Sequence, residues 1–198
     1  TGSGKTTTLY GALTEINSRD RNVVTLEDPI EYEIDGISQT QINVKKGMTF
    51  ASGLRNVLRQ DPDIIMVGEI RDHETAVMAI QSALTGHLVF STLHTNDAAS
   101  AVTRLLDLGI EPYLVSSSLL AVMAQRLVRK VCQECGAECE LTSDQIRQLG
   151  IGWDSLDTRS YRKGNGCSGC RETGYRGRIA ICELLIVQES IRQKIQER

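Results

Sequence analysis

The sequence contains no apolar run of the roughly 18 to 20 residues that a helix needs to cross a lipid bilayer. Its most apolar stretch, residues 113–131, is interrupted by three serines, one glutamine and three basic residues. The sequence also has no excess of basic residues, since its formal net charge is −3. We therefore predict no bilayer-spanning helix, and the charge argues against a dedicated nucleic-acid binder, which normally carries a pronounced positive surface.

The chain has neither an initiator methionine nor a secretory signal at its start, and it contains no internal repeat or low-complexity segment. Because it begins inside its first motif, we expect it to be a fragment of a longer protein. Its 198 residues, 40% of them hydrophobic, suffice for one domain with a substantial core and a small appendage. Four of the six cysteines form two Cys-x-x-Cys pairs, which favours metal binding in a reducing compartment, and therefore the cytoplasm.

A loop of small residues opens the chain and ends in Gly4-Lys5-Thr6. Such a loop can turn tightly, so that its backbone N–H groups converge on phosphate oxygens, and the following helix adds the positive end of its dipole. Lys5 can reach the β- and γ-phosphates, and the Thr6 hydroxyl can ligate Mg²⁺. A flexible Gly-Ser linker is the alternative. The candidate nucleotide-binding residues are Thr1, Gly2, Ser3, Gly4, Lys5, Thr6 and Thr7.

The complete phosphate-loop pattern has a further glycine, which would lie two positions before Thr1, and a strand that precedes it. Beyond the loop, apolar runs alternate with helical periodicity. Strands are predicted at 22–26, 37–44, 64–67 and 88–93, and helices at 5–18, 49–60, 75–84, 98–108 and 112–130. This alternation predicts an α/β fold with a parallel sheet that is covered by helices on both faces.

The pattern changes after residue 130, where Gly, Cys, Ser and charged residues replace the apolar periodicity. A strand is then predicted at 179–187 and a helix at 189–198. We accordingly divide the chain into a core at 1–131, a small tetracysteine subdomain at 132–177, and a final strand and helix of the core at 178–198.

Acidic and imidazole side chains follow three of the predicted strands. Glu27 and His94 come directly after an apolar run, and Glu69 follows another such run after Gly68. Since parallel α/β sheets bind ligands at the carboxyl ends of their strands, we expect these three side chains beside the phosphate loop. Glu69 is the candidate to orient or deprotonate the attacking water, and His94 to sense the γ-phosphate or bridge to a neighbouring subunit. Asp63 begins a strand and belongs at the opposite edge; for His87, a structural role and a site role remain open.

Phosphoryl transfer also needs positive charge at the transition state, which arginine usually supplies. Arg55 and Arg59 lie four residues apart on one predicted helix face, and Arg71 lies two residues after Glu69. Each of these arginines could equally form a surface ion pair, and the sequence alone does not rank them.

The two Cys-x-x-Cys pairs are separated by 31 residues and consist of Cys132, Cys135, Cys167 and Cys170. Four thiolates can close a tetrahedral Zn²⁺ site, and because every ligand would come from the protein, such a site should be structural. Disulfides or redox-active dithiols are the alternative. Cys139 is a possible substitute ligand, and Cys182, in an apolar strand, is expected in the core.

These motifs together resemble those of the type II/type IV secretion ATPase superfamily. Residues 26–32 resemble its Asp box, residues 58–72 its Walker B segment and residues 85–96 its His box. The similarity continues through residues 124–129, the tetracysteine insert and residues 174–178, and so covers essentially the whole chain. The tetracysteine insert and the sequence of residues 82–87 look most like those of the type II secretion branch of this superfamily.

The resemblance implies a RecA-like P-loop NTPase domain, truncated before the strand of the phosphate loop, with a small tetracysteine zinc-binding insert. It implies ATP, Mg²⁺ and Zn²⁺ as ligands, and a homo-hexamer with ATP near the subunit boundaries. Glu27 and Glu69 would serve the metal and the water, and His94 would be the sensor. The arginines that the resemblance places in or around the nucleotide site are Arg55, Arg59, Arg71 and Arg178.

The resemblance further implies a motor that hydrolyses ATP to drive pseudopilus assembly and protein export in type II secretion. Its partners would be inner-membrane platform proteins, so it would be cytoplasmic and touch the membrane only peripherally, without binding nucleic acid. We expect this segment alone to hydrolyse ATP poorly. The alternatives are a type IV pilus assembly ATPase, a RecA-like nucleic-acid translocase, and a zinc-ribbon interaction module with a vestigial nucleotide fold.

Overall fold

A computed structural model of the chain describes residues 2–149 and 161–197. The helices in these residues are α1 (Lys5–Ile16), α2 (Phe50–Val57), α3 (His73–Leu84), α4 (Ala98–Asp107), α5 (Pro112–Ser118), α6 (Ser143–Leu149) and α7 (Glu189–Gln196). The strands are β1 (Val23–Glu27), β2 (Ser38–Gln41), β3 (Ile64–Val67), β4 (Leu88–Ser91), β5 (Ala121–Val131), β6 (Gly136–Cys139), β7 (Tyr161–Gly164) and β8 (Tyr175–Ile186). None of the helices described has both the length and the apolar character needed to span a membrane.

The chain divides into two compact units. Unit one comprises residues 1–126 and 182–198, and unit two comprises residues 127–181. Unit one contains a four-stranded sheet in the order β2-β1-β3-β4, in which all neighbouring strands are parallel. Every residue of β1 and β3 is buried, as is typical of strands covered by helices on both faces. The predicted parallel α/β fold is confirmed, and β2 is an edge strand as expected.

The side chains of β1 and β3 alternate between two hydrophobic cores, because successive residues of a strand point to opposite faces. The larger core, on the face covered by α2 and α3, includes Val24, Leu26, Ile65 and Val67. The smaller core, on the face covered by α1, includes Val23, Ile64 and Met66 together with Tyr10 and Leu13. Thr25 and Glu27 share the parity of Val23, so their side chains also lie on the face of α1.

Side-chain caps fix the beginnings of α3 and α4, the helices that follow β3 and β4. The carboxylate of Asp72 accepts a hydrogen bond from the N–H of Thr75 at 2.8 Å, and that of Asp97 accepts one from the N–H of Ser100 at 2.8 Å. A cap of this kind stabilises a helix by about 1 kcal/mol. The loop after β3 therefore ends at α3, and the loop after β4 ends at α4.

The helix predicted over residues 112–130 is wrong beyond Ser118. Helix α5 ends there, and residues 121–131 form β5, which pairs with β8. At the end of α5, the hydroxyls of Ser117 and Ser118 donate to the carbonyls of Tyr113 and Leu114. The valines of β5 favour a strand, but its pairing partner lies about fifty residues further along the chain, where no local pattern reveals it.

Unit two contains the antiparallel pair β6 and β7, helix α6, and a 3₁₀ turn at Ser168–Cys170. The guanidinium of Arg129 lies 4.0 Å from the ring centroid of Tyr175, and Arg176 forms a 2.8 Å ion pair with Glu134. Cys182, on β8 in unit one, is exposed, so the expectation that it lies in the core is wrong. Strand β8 belongs to a two-stranded sheet, in which β8 has only one strand partner.

Candidate functional site

The phosphate loop leads directly into α1. Gly2 and Gly4 have φ angles of 80° and 84°, in the left-handed region that glycine adopts without a steric penalty. Gly4 is the N-cap of α1 and has no side chain with which to cap it, so the N–H groups of the first turn stay available to an anionic ligand. Lys5, Thr6 and Thr7 form that first turn. Thr1 lies outside the described residues.

Gln125 of β5 holds the phosphate loop from the side. Its Nε2 donates to the carbonyl of Ser3 at 2.8 Å, and its Oε1 accepts from the hydroxyl of Thr8 at 2.9 Å. The sequence motif that contains Gln125 supports the family resemblance but does not reveal these contacts, which join residues more than one hundred positions apart.

Glu69 lies between the side chains of His94 and Arg71, just beyond β3. Its carboxylate is 3.0 Å from Nε2 of His94 and 2.5 Å from the guanidinium of Arg71, and its side chain is only 12% exposed. Burial by itself raises the pKa of Glu69. The hydrogen bonds from His94 and Arg71, with the charges behind them, outweigh the burial, and the net pKa is lowered. Glu69 is therefore ionised at neutral pH, as a group that accepts a proton must be.

Backbone contacts on both sides fix the position of Glu69. The N–H of Gly68 donates to the carbonyl of Leu26 at 2.8 Å. The hydroxyl of Thr92 donates to the carbonyl of Gly68 at 2.7 Å, and the N–H of Ile70 donates to the carbonyl of Thr92 at 3.0 Å. A Cβ atom on Gly68 would lie 3.1 Å from the Leu26 carbonyl oxygen, so glycine allows this close approach to β1.

Glu27 ends β1 and is 3% exposed. Its carboxylate accepts hydrogen bonds from the hydroxyl of Tyr10, from Oγ1 of Thr25 at 2.6 Å and from Nε2 of Gln39 at 3.0 Å. Burial, together with the hydrogen bond to Glu27, raises the pKa of Tyr10 to about 12. A buried carboxylate is costly unless such donors satisfy it, so these three side chains stabilise Glu27 at the face of α1.

Sequence reasoning identified Glu27 but missed the three side chains around it. Thr25 was accessible in principle, because it lies two residues before Glu27 and must share its face of the strand. Tyr10 and Gln39 come from a different helix and strand, and only the packing of α1 and β2 against β1 brings them to Glu27.

The four candidate arginines occupy different environments. Arg71 contacts Glu69, as described above. Arg55 forms a 3.0 Å ion pair with Glu74, in which both side chains are exposed. Arg59 is exposed after the end of α2, and Arg178 is exposed on β8 in unit two. Among the residues described, the structure thus joins only Arg71 of these four to a predicted acidic site residue.

Asp63, which the sequence placed outside the site, and His87, whose role it left open, lie at the start of their strands. Oδ2 of Asp63 accepts from the N–H of Asn22, the residue before β1, at 2.7 Å. Asp63 therefore lies at the edge opposite Glu69, as predicted. Nδ1 of His87 lies 2.9 Å from the carbonyl of Ser82, so His87 has a structural contact with the end of α3.

The four predicted metal-binding cysteines come together in unit two. The Sγ atoms of Cys132, Cys135, Cys167 and Cys170 all lie within 4.8 Å of one another. The closest pairs of sulfurs are separated by 3.9, 3.8 and 3.7 Å. A tetrahedral Zn²⁺ with Zn–S bonds of about 2.3 Å requires sulfurs about 3.8 Å apart, so the cluster fits this ion. Cys139 lies outside the cluster, on β6.

Backbone donors surround the sulfur of Cys170. The N–H groups of Cys167 and Gly174 each lie 3.2 Å from it. Burial raises the pKa of the Cys170 thiol, but these N–H groups and the neighbouring thiols outweigh it and lower the pKa to about 6. A thiol of this kind is readily present as the thiolate that binds a metal ion.

A parallel sheet, a glycine-rich loop at a helix N-terminus, and acidic residues at the carboxyl ends of neighbouring strands together define an α/β fold of the P-loop NTPase class. Comparison with protein families narrows this class. The whole chain, residues 1–198, matches the family described as Type II/IV secretion system protein, and the chain belongs to this family.

Similarity to individual proteins supports the assignment of the chain to this family. The chain is 58% identical to the type II secretion system protein E of Aeromonas hydrophila and 54% identical to the type IV pilus assembly ATPase PilB of Thermus thermophilus, in each case over 98% of its own length. It spans only 38% and 22% of the lengths of these relatives. The crystal structure of the pilus retraction motor PilT with bound ADP matches 99% of this chain and 48% of that one, with a TM-score of 0.70 and 32% identity.

Proposed function

We propose that this chain is the nucleotide-hydrolysing core of a motor ATPase that drives pseudopilus assembly and protein export in type II secretion. The observation that carries the proposal is the nearly buried carboxylate of Glu69, held by His94 and Arg71 at the edge of the sheet where β1 also delivers Glu27. The carboxylate of an ordinary surface ion pair is exposed to solvent, whereas the side chain of Glu69 is only 12% exposed.

In the proposed site, the residues of the phosphate loop bind ATP. Backbone N–H groups of residues 2–7 and the ammonium of Lys5 contact the phosphates, and the Thr6 hydroxyl ligates Mg²⁺. Bound Mg²⁺ would supply charge neutralisation at the β- and γ-phosphates. The donor set fits this role, because the first turn of α1 offers uncapped N–H groups and a hydroxyl side by side.

Glu69 is proposed to orient the attacking water and accept its proton. For this, the carboxylate exchanges one of its two present partners for the water. The side chains of Arg71 and His94 are 67% and 57% exposed, so solvent reaches both of them. Arg71 is then positioned to stabilise the developing negative charge. Glu27 is proposed to serve the metal, for which it exchanges one of its three hydrogen bonds.

The remaining arginines are assigned less specific roles. Arg55, Arg59 and Arg178 are proposed to complete a nucleotide site near a boundary between subunits of a homo-hexamer. Their exposure is compatible with this role, since residues that act across a subunit boundary must be accessible in the single chain.

The tetracysteine cluster is proposed to hold one structural Zn²⁺. Four sulfurs with the spacing of a tetrahedral site support zinc over a pair of disulfides. All the ligands come from the chain itself, so the proposed role of the ion is to fold unit two.

The proposed motor is cytoplasmic and meets the inner membrane through platform proteins of the secretion system. The second candidate is a type IV pilus assembly ATPase, supported by the 54% identity to the relative from Thermus thermophilus. A nucleic-acid translocase is a less favoured alternative, because the net charge of −3 gives no excess of basic residues for binding nucleic acid.

The decisive experiment measures ATP hydrolysis by the intact protein, with and without its membrane platform partner. We expect Glu69→Gln to lower kcat by two orders of magnitude or more, roughly the range for loss of a general base. The matched control is Glu15→Gln, an exposed glutamate of α1, which should leave kcat unchanged. Full activity in Glu69→Gln would refute the proposed chemistry, and strong stimulation by polynucleotide alone would favour the translocase.

Deletion of the gene separates the two secretion-related candidates. Loss of exoprotein secretion with normal pili supports the type II motor, whereas loss of pili with normal secretion supports the pilus assembly ATPase.

A further inference from the structure

We propose that Gln125 is a positioning residue that sets the conformation of the phosphate loop and thereby the affinity of the site for nucleotide. This inference rests on the proposed ATP-binding function. Gln125 is not expected to touch the nucleotide; it acts through the backbone of the loop and through the first turn of α1.

Both polar groups of the Gln125 side-chain amide form hydrogen bonds, one as a donor and the other as an acceptor. The NH₂ group donates to the Ser3 carbonyl at 2.8 Å, and the carbonyl accepts from the Thr8 hydroxyl at 2.9 Å. The two contacts lie on either side of Lys5 and Thr6 in the sequence. A single side chain therefore ties the loop before these ligand-binding residues to the helix after them.

The contact with Ser3 has a direct consequence for phosphate binding. In a trans peptide, the C=O group of one residue and the N–H group of the next point in opposite directions within one plane. Holding the Ser3 carbonyl towards β5 therefore turns the N–H of Gly4 away from β5. In a phosphate loop, the backbone N–H groups must converge on the anion, so Gln125 orients one of these donors before the ligand arrives.

Arg126, the next residue of β5, contacts Asn96 in the loop that follows β4 and carries His94. Successive residues of a strand point to opposite faces, and the guanidinium of Arg126 donates to the carbonyl and the side-chain oxygen of Asn96, at 3.3 and 3.2 Å. Asn96 lies two residues after His94. Strand β5 thus contacts both the phosphate loop and the loop that carries the proposed sensor.

The test uses the intact protein with Gln125→Leu, which keeps a similar volume but removes the hydrogen bonds to Ser3 and Thr8, together with the 3.8 Å contact between Oε1 and the Cys182 thiol. We expect the Kd and the KM for ATP to rise together by about tenfold, since each neutral hydrogen bond contributes modestly to the free energy that orders the loop. The kcat should fall by much less, because Glu69 and its partners are untouched. Gln81→Leu, at an exposed glutamine of α3, is the matched control and should leave the Kd and the KM unchanged.

Two further variants separate positioning from a general structural role. Gln125→Glu keeps the acceptor for Thr8 but places a negative oxygen against the Ser3 carbonyl, so it should weaken ATP binding at least as much as leucine. Thr8→Val removes one contact only and should raise the Kd by about threefold. The two changes Thr8→Val and Gln125→Leu should be non-additive, because both remove the same hydrogen bond.

The outcomes distinguish this inference from the proposed function. If wild type binds ATP, Lys5→Ala does not, and folded Gln125→Leu binds as tightly as wild type, the role of Gln125 is overturned and the proposed function stands. If wild type itself does not bind ATP, the proposed function fails. Should thermal unfolding show that Gln125→Leu is not folded, Thr8→Val decides: an unchanged Kd overturns the inference, and a weakened one supports it.

Discussion

The Nε2 atom of His94 lies 3.0 Å from the carboxylate of Glu69, although 25 residues separate the two in the sequence. Parallel pairing of β3 and β4 brings their carboxyl ends to the same edge, and the two side chains meet just beyond it. The carboxylate therefore accepts a hydrogen bond from the imidazole, which requires that Nε2 carries the proton.

Glu69 should make the stability of the protein depend on pH in the acidic range. Its folded pKa is lowered, so its contribution is present above its ordinary pKa, which is 4.5, and is lost as the pH falls through the folded value. In Glu69→Gln, we expect the free energy of unfolding to fall less steeply as the pH decreases from about 6 to about 3. Denaturant titrations at several pH values measure this slope. An unchanged slope would show that the contacts with His94 and Arg71 do not persist in solution.

Tyr10→Phe should destabilise the protein, because it removes a donor to the buried carboxylate of Glu27. We expect the free energy of unfolding to decrease by about 1–3 kcal/mol, the usual cost of leaving a buried polar group short of a partner. The matched control is Tyr113→Phe, since Tyr113 is 60% exposed. Chemical denaturation of the variants measures both effects. Equal stability of the two variants would contradict the hydrogen bond described here.

Lys5→Ala should remove nucleotide binding, because the ammonium of Lys5 supplies the mobile positive charge of the phosphate loop. Equilibrium titration of the intact protein with a fluorescent ATP analogue measures the Kd, and ATP hydrolysis should be abolished in parallel. Lys45→Ala, at an exposed lysine of the 3₁₀ turn after β2, provides the control. Unchanged hydrolysis in Lys5→Ala would remove the assignment of the phosphate loop.

Metal analysis of the purified protein should find about one Zn²⁺ per chain, the number that one tetracysteine site holds. The double change Cys132→Ser and Cys135→Ser should abolish zinc binding and expose unit two to proteolysis, because the binding energy of a structural zinc is also folding energy. Cys139→Ser and Cys182→Ser should retain the metal, since both residues lie outside the cluster. Protein that folds fully without metal would argue against the zinc site.

Much of unit one could be predicted because its signals are local. The run Ile64–Val67 is entirely apolar and short, which indicates a strand buried on both faces, and the structure buries all four residues. Since strand ends dictate where side chains emerge, the meeting of Glu69 and His94 followed from the strand predictions alone.

The failures of prediction all involve contacts between distant segments. Residues 121–131 are apolar enough for a buried helix, and only their pairing with β8 selects a strand. Cys182 has apolar neighbours in sequence, yet it is exposed, as are most residues of its strand. The contacts of Gln125 with Ser3 and Thr8 likewise depend on where β5 packs, which no local periodicity reveals.

Helix α1 begins at the phosphate-binding Lys5 and carries Tyr10 five residues later, about 7 to 8 Å along its axis. The hydroxyl of Tyr10 donates to the buried carboxylate of Glu27. One helix therefore carries both the proposed phosphate contact and a donor to the carboxylate at the end of β1. A substitution that displaces α1 should consequently affect nucleotide binding and the support of Glu27 together.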